Sequence, residues 1–378
     1  MLLPLDDPAR AVTLGEGWTP LIPMQGLGHK ALWLKDEGQN PSGSFKDRAA
    51  SVGLTRYREL KVDTVALNST GNASAAWALY ATRAGVRCVS FLPVDGQAAT
   101  RMQCALAGGD VRFITDWANA GRIVAENCAE QHWLNVSALK EPYRIEGKKT
   151  LAFEIAEQMD WRLPDTVVFP TGGGQAVLAL YKGFAELREL GWVNDPDPQL
   201  IITQYAGCAP IAKAYVEGRD DCEPWGRVDI LPGGMKSPNP ISGADVLELI
   251  RRTRGCAITV SNDEALAAQA EICRAEGLFV CPEAATTLVG STPATYRHQS
   301  TSSIMSRASL PRSRAAGGPG GSGTRRWQKS IRGEPSRVAI NSFSRTVWAS
   351  AEVAWSSVET RPYRNNRPIE PPSEWARQ

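Results

Sequence analysis

The chain of 378 residues, 43% hydrophobic and 22% charged, is long enough for two α/β domains sharing a core, and its formal net charge of +2 marks no partner class. That total hides two compositions: residues 291–378 hold 13 Arg and 1 Lys against 5 Glu, a net +9, which leaves −7 for residues 1–290. Eight cysteines without a CxxC pair and only three histidines exclude a zinc site and a disulfide framework, and the cysteines read as reduced, mostly buried thiols.

At the N-terminus there is no basic-then-apolar leader, and no apolar run approaches the roughly 20 residues that span a bilayer. A soluble cytoplasmic protein is expected, with no membrane partner. Up to Gly290, β-rich runs alternate with helical stretches. Strands are expected at 31–35, 64–67, 87–92, 111–114, 166–169, 199–204 and 257–260, and helices at 46–60, 73–84, 100–107, 149–158, 176–190 and 263–276. Each helix follows a glycine, serine or asparagine cluster that serves as cap or entry turn. The alternation predicts a doubly wound α/β fold with mostly parallel sheets, whose ligands lie at the carboxyl ends of the strands.

Three strand–turn–helix units carry chemistry. In NPSGSFKDRAA, the turn places Lys46 in the first turn of a helix, near the positive end of its dipole, where an ammonium is disfavoured and a free nucleophilic amine is favoured. The same residues also fit the solvated start of an amphipathic helix. In NSTGNAS (68–74), Ser69, Thr70, Gly71, Asn72 and Ala73 follow a strand and offer backbone N–H groups to a carboxylate, with the Asn72 amide left for a ring hydroxyl; an ordinary N-cap fits this motif equally. In VVFPTGGGQ, three glycines between strand and helix can wrap a phosphate, and the absence of GK[ST] disfavours ATP; a structural glycine turn without a ligand is the alternative. A lysine poised for an aldehyde and a separate phosphate cradle are the two needs of pyridoxal phosphate.

Taken in order, EGWTPLIP, LKDEGQNPSGSFKDRAA, NSTGNAS, ALKEPYRIEGKKT, PTGGG and EGLFVCPEAAT resemble the threonine synthases among the fold type II pyridoxal-phosphate enzymes, over about residues 10–290. The resemblance implies two three-layer αβα domains: a large cofactor-binding one from 1–45 and 145–290, and a smaller one from 46–144. It implies Lys46 as the Schiff-base lysine, with Phe45 against the cofactor ring and Asn72 on the ring hydroxyl. Ser69, Thr70 and Ala73 would face the substrate carboxylate, and Gly172, Gly173, Gly174 and Gln175 the cofactor phosphate. Arg144 would meet the substrate phosphate, with Asn135 and Lys148 beside it; a guanidinium fork suits that anion. Alternatively, Arg144 is a surface ion pair with Glu141 or Glu146. The implied reaction converts O-phosphohomoserine and water to threonine and phosphate, and a homodimer is common in the family. The nearest rival is another type II enzyme: a threonine or serine dehydratase, which has no substrate phosphate to bind, or another β/γ-replacement enzyme such as a synthase using phosphoserine with a different nucleophile.

After Gly290 the pattern stops. Ser, Arg, Pro and Gly dominate, residues 317–323 read as a flexible spacer, and the arginines are dispersed among Trp and Pro, unlike a nucleic-acid arm. The segment reads as irregular and resembles out-of-frame translation, which raises the alternative of an inactive product of an altered gene. The family's closing strand and its T-G-S/T-G turn, which partners the pyridine nitrogen, are not found there; GGSGTRR is the nearest string. A sheet lacking its last strand is therefore expected.

Overall fold

The computed structural model describes residues 2–28, 31–94, 96–291 and 337–342. In chain order its elements are β1 (Leu21–Pro23), β2 (Leu32–Asp36), α1 (Lys46–Glu59), β3 (Thr64–Asn68), α2 (Asn72–Ala84), β4 (Arg87–Pro93), α3 (Ala98–Leu106), β5 (Asp110–Ile114), α4 (Ala120–Gln131), β6 (Leu134–Asn135) and α5 (Tyr143–Lys148). There follow α6 (Thr150–Gln158), β7 (Thr166–Pro170), α7 (Gln175–Glu189), β8 (Gln199–Tyr205), α8 (Pro210–Val216), α9 (Gly243–Arg252), β9 (Cys256–Val260), α10 (Asn262–Glu276), α11 (Pro282–Ser291) and β10 (Val338–Ser342).

Two sheets result. One is four-stranded and wholly parallel, in the order β5-β4-β3-β6; the other is six-stranded, in the order β1-β2-β10-β7-β8-β9, and only β1 runs antiparallel. Parallel strands are covered on both sides by crossover helices, so β7 is buried along its whole length and β8 at all but its first residue, around the apolar stretches Val167–Phe169 and Leu200–Ile202. Helix ends follow local chemistry: Ser261 and Glu264 form a reciprocal capping box at the start of α10. No described helix is long and apolar enough to cross a membrane.

The expected gap in the larger sheet is filled. β10 lies between β2 and β7, pairing Val338 with Leu32 and Thr166, and the Val338 N–H donates to Ala31 O at 2.7 Å. Ile340 is fully buried, and α11 lies across β10, β7 and β8. Five residues, VAINS, suffice because a central parallel strand needs only apolar side chains on its covered faces and backbone groups for the ladder. The glycine-rich spacer at 317–323 and the remainder of the tail lie outside the described residues.

If β10 supports the sheet as placed, Ile340→Ala should cost about 2–5 kcal/mol, read as a lowered urea midpoint. An unchanged midpoint would remove this strand from the core.

Candidate active site

Lys46 opens α1, following Phe45, and its backbone N–H reaches Ser44 Oγ at 3.4 Å. The approach is set by Gly43, whose φ of +83° belongs to the left-handed region that glycine enters without strain. Asp47 holds the turn by accepting the Ser42 N–H on Oδ2 at 2.7 Å, while its Oδ1 is buried without a partner among the described residues; burial pushes its carboxyl up to about 7. The Lys46 side chain is half-buried, with Nζ 3.7 Å from the centre of the Phe45 ring. Burial first, and then the positive charge of Arg144, lower its pKa from 10.5 to about 7. The pKa is lowered, as expected for a nucleophilic amine, but the causes are burial and Arg144 rather than the helix start proposed from the sequence.

The turn between β3 and α2 presents the first amides of a helix, which have no acceptor within it. Ser69 Oγ accepts the Gly71 N–H at 3.1 Å and shapes the turn. Behind it, Ser74 Oγ is buried with no hydrogen-bond partner among the described residues. Ser69, Thr70 and Asn72 are half-buried here and Ala73 is buried.

The third turn joins β7 to α7 through Gly172, Gly173 and Gly174. A Cβ on Gly172 would sit 3.2 Å from Gly234 O, one on Gly173 3.4 Å from Ser237 Oγ, and one on Gly174 would run into Val246. Gly174 also has φ +85°. The 234–246 segment thus packs against the turn so that Gly174 admits no side chain and Gly172 has little room for one, while Gly173 is in ordinary contact, and Ser242 Oγ donates to Gly173 O. The segment is held in turn by Glu283, whose Oε1 accepts the Gly234 N–H at 2.8 Å; this is the part played by the EGLFVCPEAAT block. At the head of α7, Gln175 Oε1 accepts from Lys148 Nζ at 2.6 Å, leaving Gln175 Nε2 buried and unpartnered.

Arg144 lies on α5, 3% exposed, with its guanidinium 4.9 Å from the Trp77 ring. It is an ion pair of a buried kind rather than a surface one: Nε is 3.5 Å from Glu141 Oε1, too long to satisfy it, and both Nε and Nη2 lack hydrogen-bond partners. Burial lowers Arg144 to about 10 against the opposing effect of Glu141. Glu146, the other partner considered, pairs instead with Lys149 and Lys182. Lys148 is buried on the same helix. Its ammonium goes to Gln175, at the glycine turn, and burial, Lys46 and Arg144 together hold its pKa well below the usual value. Asn135 ends β6, and its Oδ1 accepts the Ser137 N–H at 3.0 Å, a local turn bond.

The structure therefore brings Lys46, Phe45, Arg144, Lys148 and Gln175 into one neighbourhood. Sequence reading had Glu141 as an ion-pair partner of Arg144, but missed Trp77 as its support and the 234–246 segment as the wall of the glycine turn. It also missed a buried quartet of charges beside Lys46. Arg48 meets both Glu37 and Glu154, and Lys35 Nζ donates to Glu154 Oε2 at 2.8 Å. Lys35, Glu37 and Arg48 are near in sequence, but Glu154 lies 106 positions beyond Arg48, so no local spacing marks the set. A surface concavity of about 470 Å³ lined by Arg10, Ala11, Val12, Arg58 and Arg83 shares no residue with this neighbourhood.

The orphaned donors fit an anionic, phosphate-bearing cofactor with an aldehyde. Buried Ser74 Oγ and Gln175 Nε2 await partners, and the glycine turn leaves no room for a side chain at Gly174. Comparison with known proteins agrees. A family model described as "Pyridoxal-phosphate dependent enzyme" matches residues 12–303. The threonine synthase of Methanosarcina acetivorans is 38% identical over 295 residues, covering 76% of this chain and 72% of that protein. Those of Methanocaldococcus jannaschii (34%; 76% and 72%) and Mycobacterium tuberculosis (32%; 76% and 79%) are also similar. Among solved structures, maize serine racemase superposes with a TM-score of 0.65 at 18% identity, covering 88% of this chain and 89% of that one. Tomato (Solanum lycopersicum) threonine deaminase isoform 2 gives 0.62 at 17%, covering 88% and 85%. At such identities these two likenesses establish the fold alone.

A Lys46 amine with its pKa near 7 is mostly neutral above that pH and mostly ammonium below it. Its capture of pyridoxal phosphate, trapped with borohydride at each pH, should rise between about pH 6 and 8 and then level off. A rate that climbs toward pH 10, as an ordinary lysine requires, would contradict the burial seen here.

Proposed function

We propose, from the premise that this chain belongs to the pyridoxal-phosphate-dependent enzyme family, that it is a threonine synthase-like lyase which converts O-phosphohomoserine and water to threonine and phosphate. The curated relatives at 32–38% identity carry that name. In this reading residues 1–45 with 145–290 form the cofactor-binding domain and 46–144 the smaller one. Lys46 holds the cofactor's aldehyde until substrate replaces it. Gly172, Gly173, Gly174 and Gln175 hold the cofactor phosphate, with Lys148 orienting Gln175. Phe45 lies against the cofactor ring, and Asn72 serves the ring hydroxyl. The amides and hydroxyls of Ser69, Thr70 and Ala73 receive the substrate carboxylate.

When bound, the cofactor supplies an electron sink for the carbon skeleton. The residues supply the rest. Lys46, freed as a neutral amine, moves protons at the α and β carbons. Arg144 takes the phosphate at the γ carbon and stabilises it as it departs, after which water adds at the β carbon. Closure of the smaller domain keeps bulk water out until then.

The observation that carries the substrate assignment is Arg144 itself: buried, incompletely paired with Glu141, and left with two unsatisfied nitrogens. A buried guanidinium in that state is costly unless an anion completes it. A dehydratase substrate has no second anion to offer. Arg144→Ala should raise KM for O-phosphohomoserine by about 30-fold or more, corresponding to roughly 2 kcal/mol for a lost buried charge contact, and change serine turnover far less. An unchanged KM would overturn the phosphorylated substrate.

A further inference from the structure

Arg48 lies two residues after Lys46, in the same first turn of α1, and is 2% exposed. A guanidinium has five N–H donors, and here each has a place. Nε donates to Glu37 Oε2 at 2.7 Å and Nη2 to Glu37 Oε1 at 2.8 Å. Nη2 also donates to Glu154 Oε2 at 2.7 Å, while Nη1 donates to Glu154 Oε1 at 2.6 Å and to Thr150 Oγ1 at 3.0 Å. The two carboxylates come from different places. Glu37 stands just before the turn that leads into Lys46, and Glu154 belongs to α6. Glu37 also governs that turn, because Asn40 Nδ2 donates to its carbonyl at 2.8 Å and to its Oε2 at 3.2 Å.

The backbone of the same residue is fixed from the other side. A Cβ on Gly147 would overlap Arg48 O, so α5, which carries Arg144 and Lys148, lies directly against α1 at this point. Lys35 completes the charge set but reaches it from β2, its Nζ donating to Thr19 O, Glu154 Oε2 and Gln158 Oε1, none of them on α1.

We propose that Arg48 is a positioning residue: by gripping Glu37 and Glu154 at once, it fixes the first turn of α1 and with it the placement of the Lys46 amine relative to the glycine turn. A buried ion network adds little stability over apolar packing of the same volume. What it supplies is geometry, since bidentate pairs fix direction as well as distance. Reactions that depend on placement lose about a hundredfold for a displacement near 1 Å.

The inference rests on the reading of Lys46 as the amine that takes the aldehyde, and the test separates the two. The full chain is mixed with pyridoxal phosphate. The rate of borohydride-trappable adduct at Lys46 is measured per folded molecule, alongside cofactor affinity from quenching of tryptophan fluorescence. Arg48→Lys keeps the charge and loses the fork; it should slow adduct formation by roughly ten- to a hundredfold while affinity, set by the phosphate cradle, changes far less. Lys35→Met should lower the melting temperature and leave the adduct rate near that of the parent, which a purely structural role for the quartet would not distinguish. Should Arg48→Lys not fold, Glu154→Gln loosens the same grip with an isosteric side chain and should slow the adduct in the same sense. An undiminished rate in the folded Arg48→Lys or Glu154→Gln protein, or an equal slowing by Lys35→Met, overturns the positioning role. No adduct in the parent protein overturns the reading of Lys46, and this inference falls with it.

Discussion

Two buried cations, Arg144 and Lys148, face one carboxylate, Glu141, within electrostatic reach of Lys46. Much of the rest of the structure is arranged around that constraint. Charge in a low-dielectric interior is tolerated only when it is paired, neutralised or awaiting a partner. Lys148 and Lys46 respond by losing affinity for their protons. Arg144 retains unsatisfied nitrogens over the Trp77 ring. An anion relieves both conditions at once, so the same arrangement that makes Lys46 nucleophilic also prepares the neighbourhood to receive phosphate.

The quartet of Lys35, Glu37, Arg48 and Glu154 obeys the opposite rule. It holds two cations and two carboxylates, its guanidinium is fully hydrogen-bonded, and Glu154 stays ionised: burial opposes this, but Arg48 and Lys35 outweigh it and hold its carboxyl down at about 2. One cluster is electrically closed and the other incomplete. Their juxtaposition across α1 gives a rigid support beside a site with unmet hydrogen-bonding demand, which is how a preorganised site differs from a merely polar one.

The strand–turn–helix units were legible because they are local. β-rich runs, glycine turns and helix starts lie within a few residues of one another, and Lys46, the 69–73 turn and the 172–174 turn each emerge at the carboxyl end of a strand or at a helix start. Arg144 was legible only through resemblance, because nothing in PYRIEGKK indicates that its guanidinium is buried against Trp77, 67 positions earlier in the sequence. The grip of Arg48 on Glu154 spans a sequence separation of 106 and was not legible at all. β10 escaped notice for another reason. VAINS is a short run inside an arginine- and serine-rich segment, and only the slot between β2 and β7 makes a strand of it. The short helix α5 was hidden because it runs almost directly into α6, so the helix expected at 149–158 caught only the second of the pair.

The central claim is that, of two neighbouring lysines, the half-buried Lys46 takes an aldehyde and the buried Lys148 serves the phosphate cradle through Gln175. Reducing the protein with borohydride in the presence of pyridoxal phosphate, digesting it and sequencing the labelled peptide by mass spectrometry distinguishes the two directly. The account predicts one adduct, on the peptide containing SGSFKDR, at Lys46. A label on Lys148, or a well-folded protein that takes no label, would contradict it.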